Sequence, residues 1–152
     1  MRSLCLFVMI MVLISCDKKS IINTDNSTEI SDVPKIEFLS ISPQSVIEFK
    51  ESISISIIYE DGNGDIGFDS ADSLSLFVKD NRGDIEHSFH IPPVVPNNLE
   101  LSIRGTLNVN IDKVIILDDN AESEEVIFSV KLKDRSGQWS NEIECPGVTV
   151  VR

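Results

Sequence analysis

Ser52-Ile53-Ser54-Ile55-Ser56-Ile57-Ile58-Tyr59 decides the fold. In an extended chain Ile53, Ile55, Ile57 and Tyr59 share one face while Ser52, Ser54 and Ser56 share the other, a period of two that no helix sorts into faces. The stretch is a strand with one side in a core and the other in water. The same alternation recurs outward from it, with Leu74, Leu76 and Val78; Ile85, Phe89 and Ile91; Leu99, Leu101 and Ile103; Leu107, Val109 and Ile111; and Phe128, Val130 and Leu132. Turn chemistry separates these runs. Asp80-Asn81-Arg82-Gly83-Asp84 predicts a hairpin, Pro92-Pro93 and Pro96-Asn97-Asn98 break the chain, and Gly105 interrupts a long alternating run. No window supports a long helix.

Short strands of this kind, about seven to nine of them, are best satisfied by two antiparallel sheets packed face to face. The expectation is an all-β, immunoglobulin-like or fibronectin type III-like sandwich. It lacks the paired cysteines of antibody domains, and Trp139, the one tryptophan, falls late, in a loop. A closed barrel is the alternative that periodicity leaves open. With 41% hydrophobic and 25% charged residues, the 152-residue chain has the composition of one folded domain rather than of a disordered segment. Its net charge of −12 and the lack of any basic run exclude nucleic acid as a partner, since binding phosphates takes clustered Lys and Arg.

The first residues read as something other than fold. Arg2 precedes an apolar run, Leu4 to Ile14, about half the ~20 residues that span a bilayer. A positive start and a short apolar stretch form a secretion signal. The run ends in Leu13-Ile14-Ser15-Cys16, which resembles a bacterial lipobox. That resemblance implies removal of residues 1–15 as a lipoprotein signal peptide, acylation of Cys16, and attachment to a membrane through acyl chains, each buried CH₂ adding ~0.8 kcal/mol. Loss of Arg2 and of no acid takes the charge from −12 to −13. Residues 16–33 are then the lipidated cysteine and a polar tether, DKKSIINTDNSTEISDV after Cys16, too poor in apolar surface to fold. The domain is expected over 34–152. With Cys5 cut off and Cys16 acylated, Cys145 has no disulfide partner and reads as a half-buried small residue near the last strand.

Two later stretches carry a resemblance. They are Tyr59-Glu60-Asp61-Gly62-Asn63-Gly64-Asp65-Ile66-Gly67, and Asp134-Arg135-Ser136-Gly137-Gln138-Trp139-Ser140-Asn141. Together with the lipobox and tether, they resemble Bacteroidetes envelope lipoproteins with a Y-x-DGDGDIG loop after an early strand and a DRAGN-x-S-N turn before the last. Asn63 stands where that pattern has Asp, and Gln138-Trp139 replace its Asn and the neighbour. The resemblance implies an Ig-like fold and an outer-membrane, cell-envelope location, and it implies no activity.

The first of these loops is the motif with chemistry. Asp61, Asn63, Asp65 and Asp69 fall at positions 1, 3, 5 and 9 of a loop whose position 12 is Asp72, the oxygen-donor spacing of a calcium loop. Ca²⁺ is therefore the expected ion. Ile66 stands where an EF-hand needs glycine, Asp72 is shorter than the usual Glu, and no helices flank the loop, so it is not an EF-hand. The competing reading is a solvated β-turn with Ile66 plugging the core. Asp134 and Asn141 divide the same way, between completing an ion site and capping a local turn. His87 and His90, three apart, project to opposite faces of a strand and cannot share a metal within it.

The expected function is a lipid-anchored, non-enzymatic interaction or structural module, stiffened by Ca²⁺. Its partner is a protein or carbohydrate, with Trp139 as a contact if exposed. Two alternatives differ in class: an accessory subunit of an outer-membrane assembly, marked by an exposed apolar patch, and a small secreted hydrolase using carboxylates among Glu60, Asp61 and Asp65. The hydrolase would need a dry pocket that raises one pKa.

Overall fold

The computed structural model describes residues 30–96 and 99–152, and every regular element among them is a strand. In chain order these are β1 (Lys35–Ser42), β2 (Ser45–Ile47), β3 (Ile53–Asp61), β4 (Leu76–Asp80), β5 (Ile85–Phe89), β6 (Ile103–Ile111), β7 (Ser123–Val126), β8 (Phe128–Leu132), β9 (Ile143–Glu144) and β10 (Val148–Val151). They form an open sandwich, not a barrel. One sheet has the order β1-β3-β6; facing it are β5-β4-β8-β9 and β2-β10-β7. This is the immunoglobulin-like arrangement, with β1, β3 and β6 in the places of strands A, B and E and β4, β8 and β9 in those of C, F and G. There are ten strands rather than the expected seven to nine because two are broken. Ile127 alone separates β7 from β8, and residues 145–147 separate β9 from β10.

The decisive stretch becomes β3, the centre of its sheet. Ile53, Ile55, Ile57 and Tyr59 point inward and are buried, each worth about 2 kcal/mol relative to exposure. Outward, Ser56 Oγ donates to Asn108 Oδ1 of the paired residue on β6 at 2.6 Å. Gly105 does not interrupt β6. It pairs with Tyr59, and a Cβ there would stand 2.5 Å from the Tyr59 hydroxyl, so glycine leaves room for the ring. The facing wall is built from Leu76, Val78, Phe128, Val130 and Leu132, all buried. The expected hairpin joins β4 to β5.

Two runs depart from their alternation. Leu99 and Leu101 do not extend β6; they lie outside any strand, 46% and 52% exposed, because Leu101 N–H is drawn to Asn63 O instead of a ladder. Leu74 is likewise exposed, and β4 begins only at Leu76. Cys145 is buried between β9 and β10, and burial pushes its thiol up to about 11. The secretion signal, Cys16 and the tether as far as residue 29 lie outside the described residues.

A charged group that local sequence does not reveal is enclosed beside the β4–β5 turn. Arg82 donates from Nη2 to Asp80 Oδ2 at 2.6 Å, from Nη1 to Glu124 Oε2 at 2.7 Å and from Nη1 to Ile115 O at 2.9 Å. The Arg82 and Asp80 side chains are only 13% and 4% exposed. Burial pulls the guanidinium pKa down, but the hydrogen bond and charge of Asp80, with Glu124, outweigh it and raise the net value. Backbone N–H groups of Leu117 and Asp118 hold Glu124 below its ordinary range, helped by Arg82.

Candidate functional site

At the end of β3 the chain makes a tight loop whose backbone approaches other segments too closely for side chains. Gly62 N–H donates to Ser31 O at 2.8 Å, and a Cβ on Gly62 would meet Ile30 O at 2.4 Å. Gly64 and Gly67 have φ of 71° and 86°, the left-handed region that favours glycine. Ile66 is fully buried and bridges Asp134 at the end of β8, so it plugs the core as the turn reading expects. Through these contacts three remote segments meet: residues 30–32, the loop 61–67 and the turn 134–138.

Three carboxylates converge there. Asp61 and Asp134 are both 0% exposed, and Asp65 is half-buried between them in charge coupling to each. Each acid uses one oxygen. Asp61 Oδ2 accepts Asp65 N–H at 2.8 Å. Asp65 Oδ2 accepts Ser136 N–H at 3.0 Å. Asp134 Oδ1 accepts Gln138 N–H at 2.7 Å and the Ser136 hydroxyl at 2.8 Å. The other oxygen of each, Asp61 Oδ1, Asp65 Oδ1 and Asp134 Oδ2, is buried with no hydrogen-bond partner. A buried carboxylate oxygen without a donor is costly, and three together are the opposite of a solvated turn.

The electrostatics follow. Desolvation, then the charge of Asp65 and that of Asp134, push the Asp61 carboxyl from 3.8 up to about 6, against the hydrogen bonds from Asp65 and Gly64 N–H. Asp65 is raised for the same reasons, desolvation first and Asp134 second. Arg135 offsets this only in part: its charge acts to lower Asp65, but its Nη1 donates at 3.1 Å to the carbonyl of Gly67 and not to a carboxylate.

The remaining expected ligands go elsewhere. Asn63 Oδ1 accepts Asp65 N–H at 3.2 Å, which leaves a lone pair beside the acids. Asp69 and Asp72 are exposed. After Gly67 the chain is pinned by Phe68 N–H to Ile91 O, and the calcium-loop spacing is broken where Gly67 packs under Pro92. Asn141 is occupied: its Oδ1 accepts Ile36 N–H and its Nδ2 donates to Ile36 O, both at 2.9 Å, tying the turn to β1. His87 lies on β5, and His90 just beyond it has Nδ1 3.0 Å from Ser73 O. Trp139 is 42% exposed, bridges Lys133 and packs against Phe77 with ring centroids 5.1 Å apart.

Ca²⁺ takes six to eight oxygens in irregular geometry, and three buried, donor-free carboxylate oxygens make a strong part of such a shell. Among the described residues no group of three or more His, Cys, Asp or Glu side chains is placed so as to hold a metal ion, so an ion would have to draw the three acids together.

No family model and no curated protein matches the chain. A crystal structure of a Niemann-Pick type C2 protein from Japanese carpenter ant is similar over 80% of this chain and 93% of that one, at 12% identity and a TM-score of 0.36. The functional reading rests on the geometry of the three acids.

Proposed function

We propose that the chain is a lipid-anchored, non-enzymatic interaction module of a bacterial envelope, whose acidic site takes a Ca²⁺ ion that ties residues 30–32, the loop 61–67 and the turn 134–138 into one rigid end. The observation that carries this reading is the trio of buried oxygens without donors on Asp61, Asp65 and Asp134. Asp61, Asp65 and Asp134 would hold the ion, beside Asn63 Oδ1, which shares the Asp65 N–H with Asp61. What the ion would supply is positive charge beyond that of Arg135, which acts on Asp65 without bonding a carboxylate; what the residues do is fix the loop against the turn.

The consequence is mechanical. Residues 30–32 are the point where the chain leaves the domain toward Cys16, and they rest directly on Gly62. Stiffening that contact would set how the domain stands relative to its membrane anchor. A general acid with a pKa near 6 would suit a hydrolase, but Asp61 has no exposed surface for a substrate atom to touch.

The test is the thermal unfolding midpoint of the full-length protein in detergent, in EDTA, in CaCl₂ and in MgCl₂. Linkage gives ~2.7 kcal/mol at a hundred times the dissociation constant, a shift of several degrees. A rise in Ca²⁺ well above that in Mg²⁺, absent in Asp134→Asn, is the expected result. Equal midpoints in all three solutions would refute the ion.

A further inference from the structure

The sheet β1-β3-β6 ends on one side at β6, and no backbone group of β6 bonds to any described segment except β3. A nine-residue edge of unpaired N–H and C=O groups is a template for another strand unless something blunts it. The other edge strands are blunted. In β1 the register shifts between Phe38 and Ser40, and Lys35 and Glu37 sit on the strand. β7 carries Glu124 and Glu125, β5 is five residues long with Glu86 on it, and β2 and β9 have three and two residues. β6 has no proline, no lysine and no acid, and its one charge, Arg104, is paired with Glu60 at 3.1 Å. Along its inner face Ile103 and Leu107 stay half-exposed, although Ile57, the ladder partner of Leu107, is buried.

We infer that β6 is a dimer interface, in which the β6 strands of two copies pair antiparallel about a two-fold axis at Leu107 and join two three-stranded sheets into one. The strand's own sequence selects a second copy as the occupant, because an isologous contact must complement itself. About that axis all nine residues of β6 find a partner. On the outer face Arg104 stands opposite Asn110 of the second copy, and Thr106 stands opposite Asn108. Asp112, held on that face by the Ser52 hydroxyl at 2.7 Å, lies diagonal to Arg104 of the second copy, so a cation meets an acid at each end of the interface. On the inner face Leu107 covers its own copy, Ile103 meets Ile111, and Gly105 leaves room for Val109. No like charges face each other there, in a chain whose net charge of −12 makes copies repel one another elsewhere. The contact uses neither the acidic carboxylates nor a bound ion.

The experiment is sedimentation equilibrium of the full-length protein in density-matched detergent, in EDTA and again in CaCl₂. A monomer–dimer equilibrium is expected in both. Asn110→Lys sets an ammonium opposite Arg104 of the second copy, and Arg104→Glu sets a carboxylate diagonal to Asp112 of the second copy. Each change acts twice in the dimer and should weaken it about tenfold. Arg104→Glu combined with Asn110→Lys places opposite charges face to face and should restore the parent affinity. Both positions are exposed, so every variant should stay folded, with an unfolding midpoint within a few degrees of the parent. A monomer at millimolar concentration, a dimer indifferent to both single changes, or a double variant as weak as the single ones would each overturn the inference. A dimer seen in CaCl₂ alone would assign association to the acidic site and overturn it as well.

Discussion

The sandwich buries two clusters of charge, and they are built on opposite plans. In one, Asp80 and Glu124 close on Arg82, whose hydrogen bonds satisfy Asp80 and reach a backbone carbonyl as well. In the other, Asp61, Asp65 and Asp134 meet with no cation bonded to them, Arg135 giving its hydrogen bond to Gly67 O, and each acid leaves one oxygen bare. The Arg82 cluster carries its counter-charge in the chain and is finished on folding. The Asp61 cluster keeps a charge deficit that only a proton or an ion from outside can fill. A fold that solves the problem once with arginine leaves three acids short of donors beside residues 30–32.

Breaking the self-sufficient cluster should have the largest effect. Arg82→Met leaves Asp80 buried with no counter-charge and only the backbone N–H of residue 82 as a donor, and stranding a buried charge costs about 3 kcal/mol or more, roughly 10 °C in a domain of this size. The unfolding midpoint in EDTA should fall by that amount and CaCl₂ should not restore it. A loss of only a degree or two would mean that the Arg82 cluster is screened by solvent and that the contrast between the two clusters is false.

The second effect is smaller and has the opposite sign. Asp61→Asn removes one charge from the donor-poor cluster, keeps the oxygen that accepts Asp65 N–H, and supplies an N–H₂ where an oxygen was bare. In EDTA at pH 7 the midpoint should rise by about 4 °C, while the response to CaCl₂ disappears. Destabilisation by this isosteric change would show that the ionised acid is needed for folding itself, and the site would lose its claim to be held open for an ion.

How much of this could be read from sequence depends on the range over which each feature is written. β3 was legible because its information is local: period two places Ile53, Ile55 and Ile57 together whatever they pack against. Asp61 and Asp65 were legible for the same reason, four residues apart on one loop. Their third partner, Asp134, was legible only as one of two readings, completing an ion site or capping its own turn, because the hydrogen bond from Ser136 to Asp65 spans 71 residues and only the sandwich topology brings that turn to that loop. Asp69 and Asp72 matched a calcium-loop spacing, but spacing presumes that the loop keeps curving about one centre, and beyond Gly67 the chain is pinned to Ile91 and turns separately over residues 70–73. Arg82 read as a turn residue because Glu124 lies 42 positions off. Leu99 and Leu101 had the alternation of a strand and lacked a free ladder to join.

The smallest effect distinguishes proton from ion. Asp61 has its folded pKa raised from 3.8 to about 6, so between those values the folded chain holds a proton that the unfolded chain has released. Stability from this group is therefore present at low pH and is lost as pH rises through about 6. Asp65, also raised, adds in the same sense. Glu37 and Glu124 are lowered and contribute oppositely, with stability gained as pH rises past their unfolded value and lost below it, so a midpoint measured in EDTA alone mixes both trends. The difference between CaCl₂ and EDTA removes the carboxylates that no ion touches. That difference should be near zero at pH 4.5, where protons occupy the acidic site, grow through pH 6, and reach its full several degrees by pH 7.5. In Asp61→Asn it should stay flat across the range. A difference already at full size at pH 4.5 would mean that calcium binds without displacing a proton, and so at some place other than Asp61.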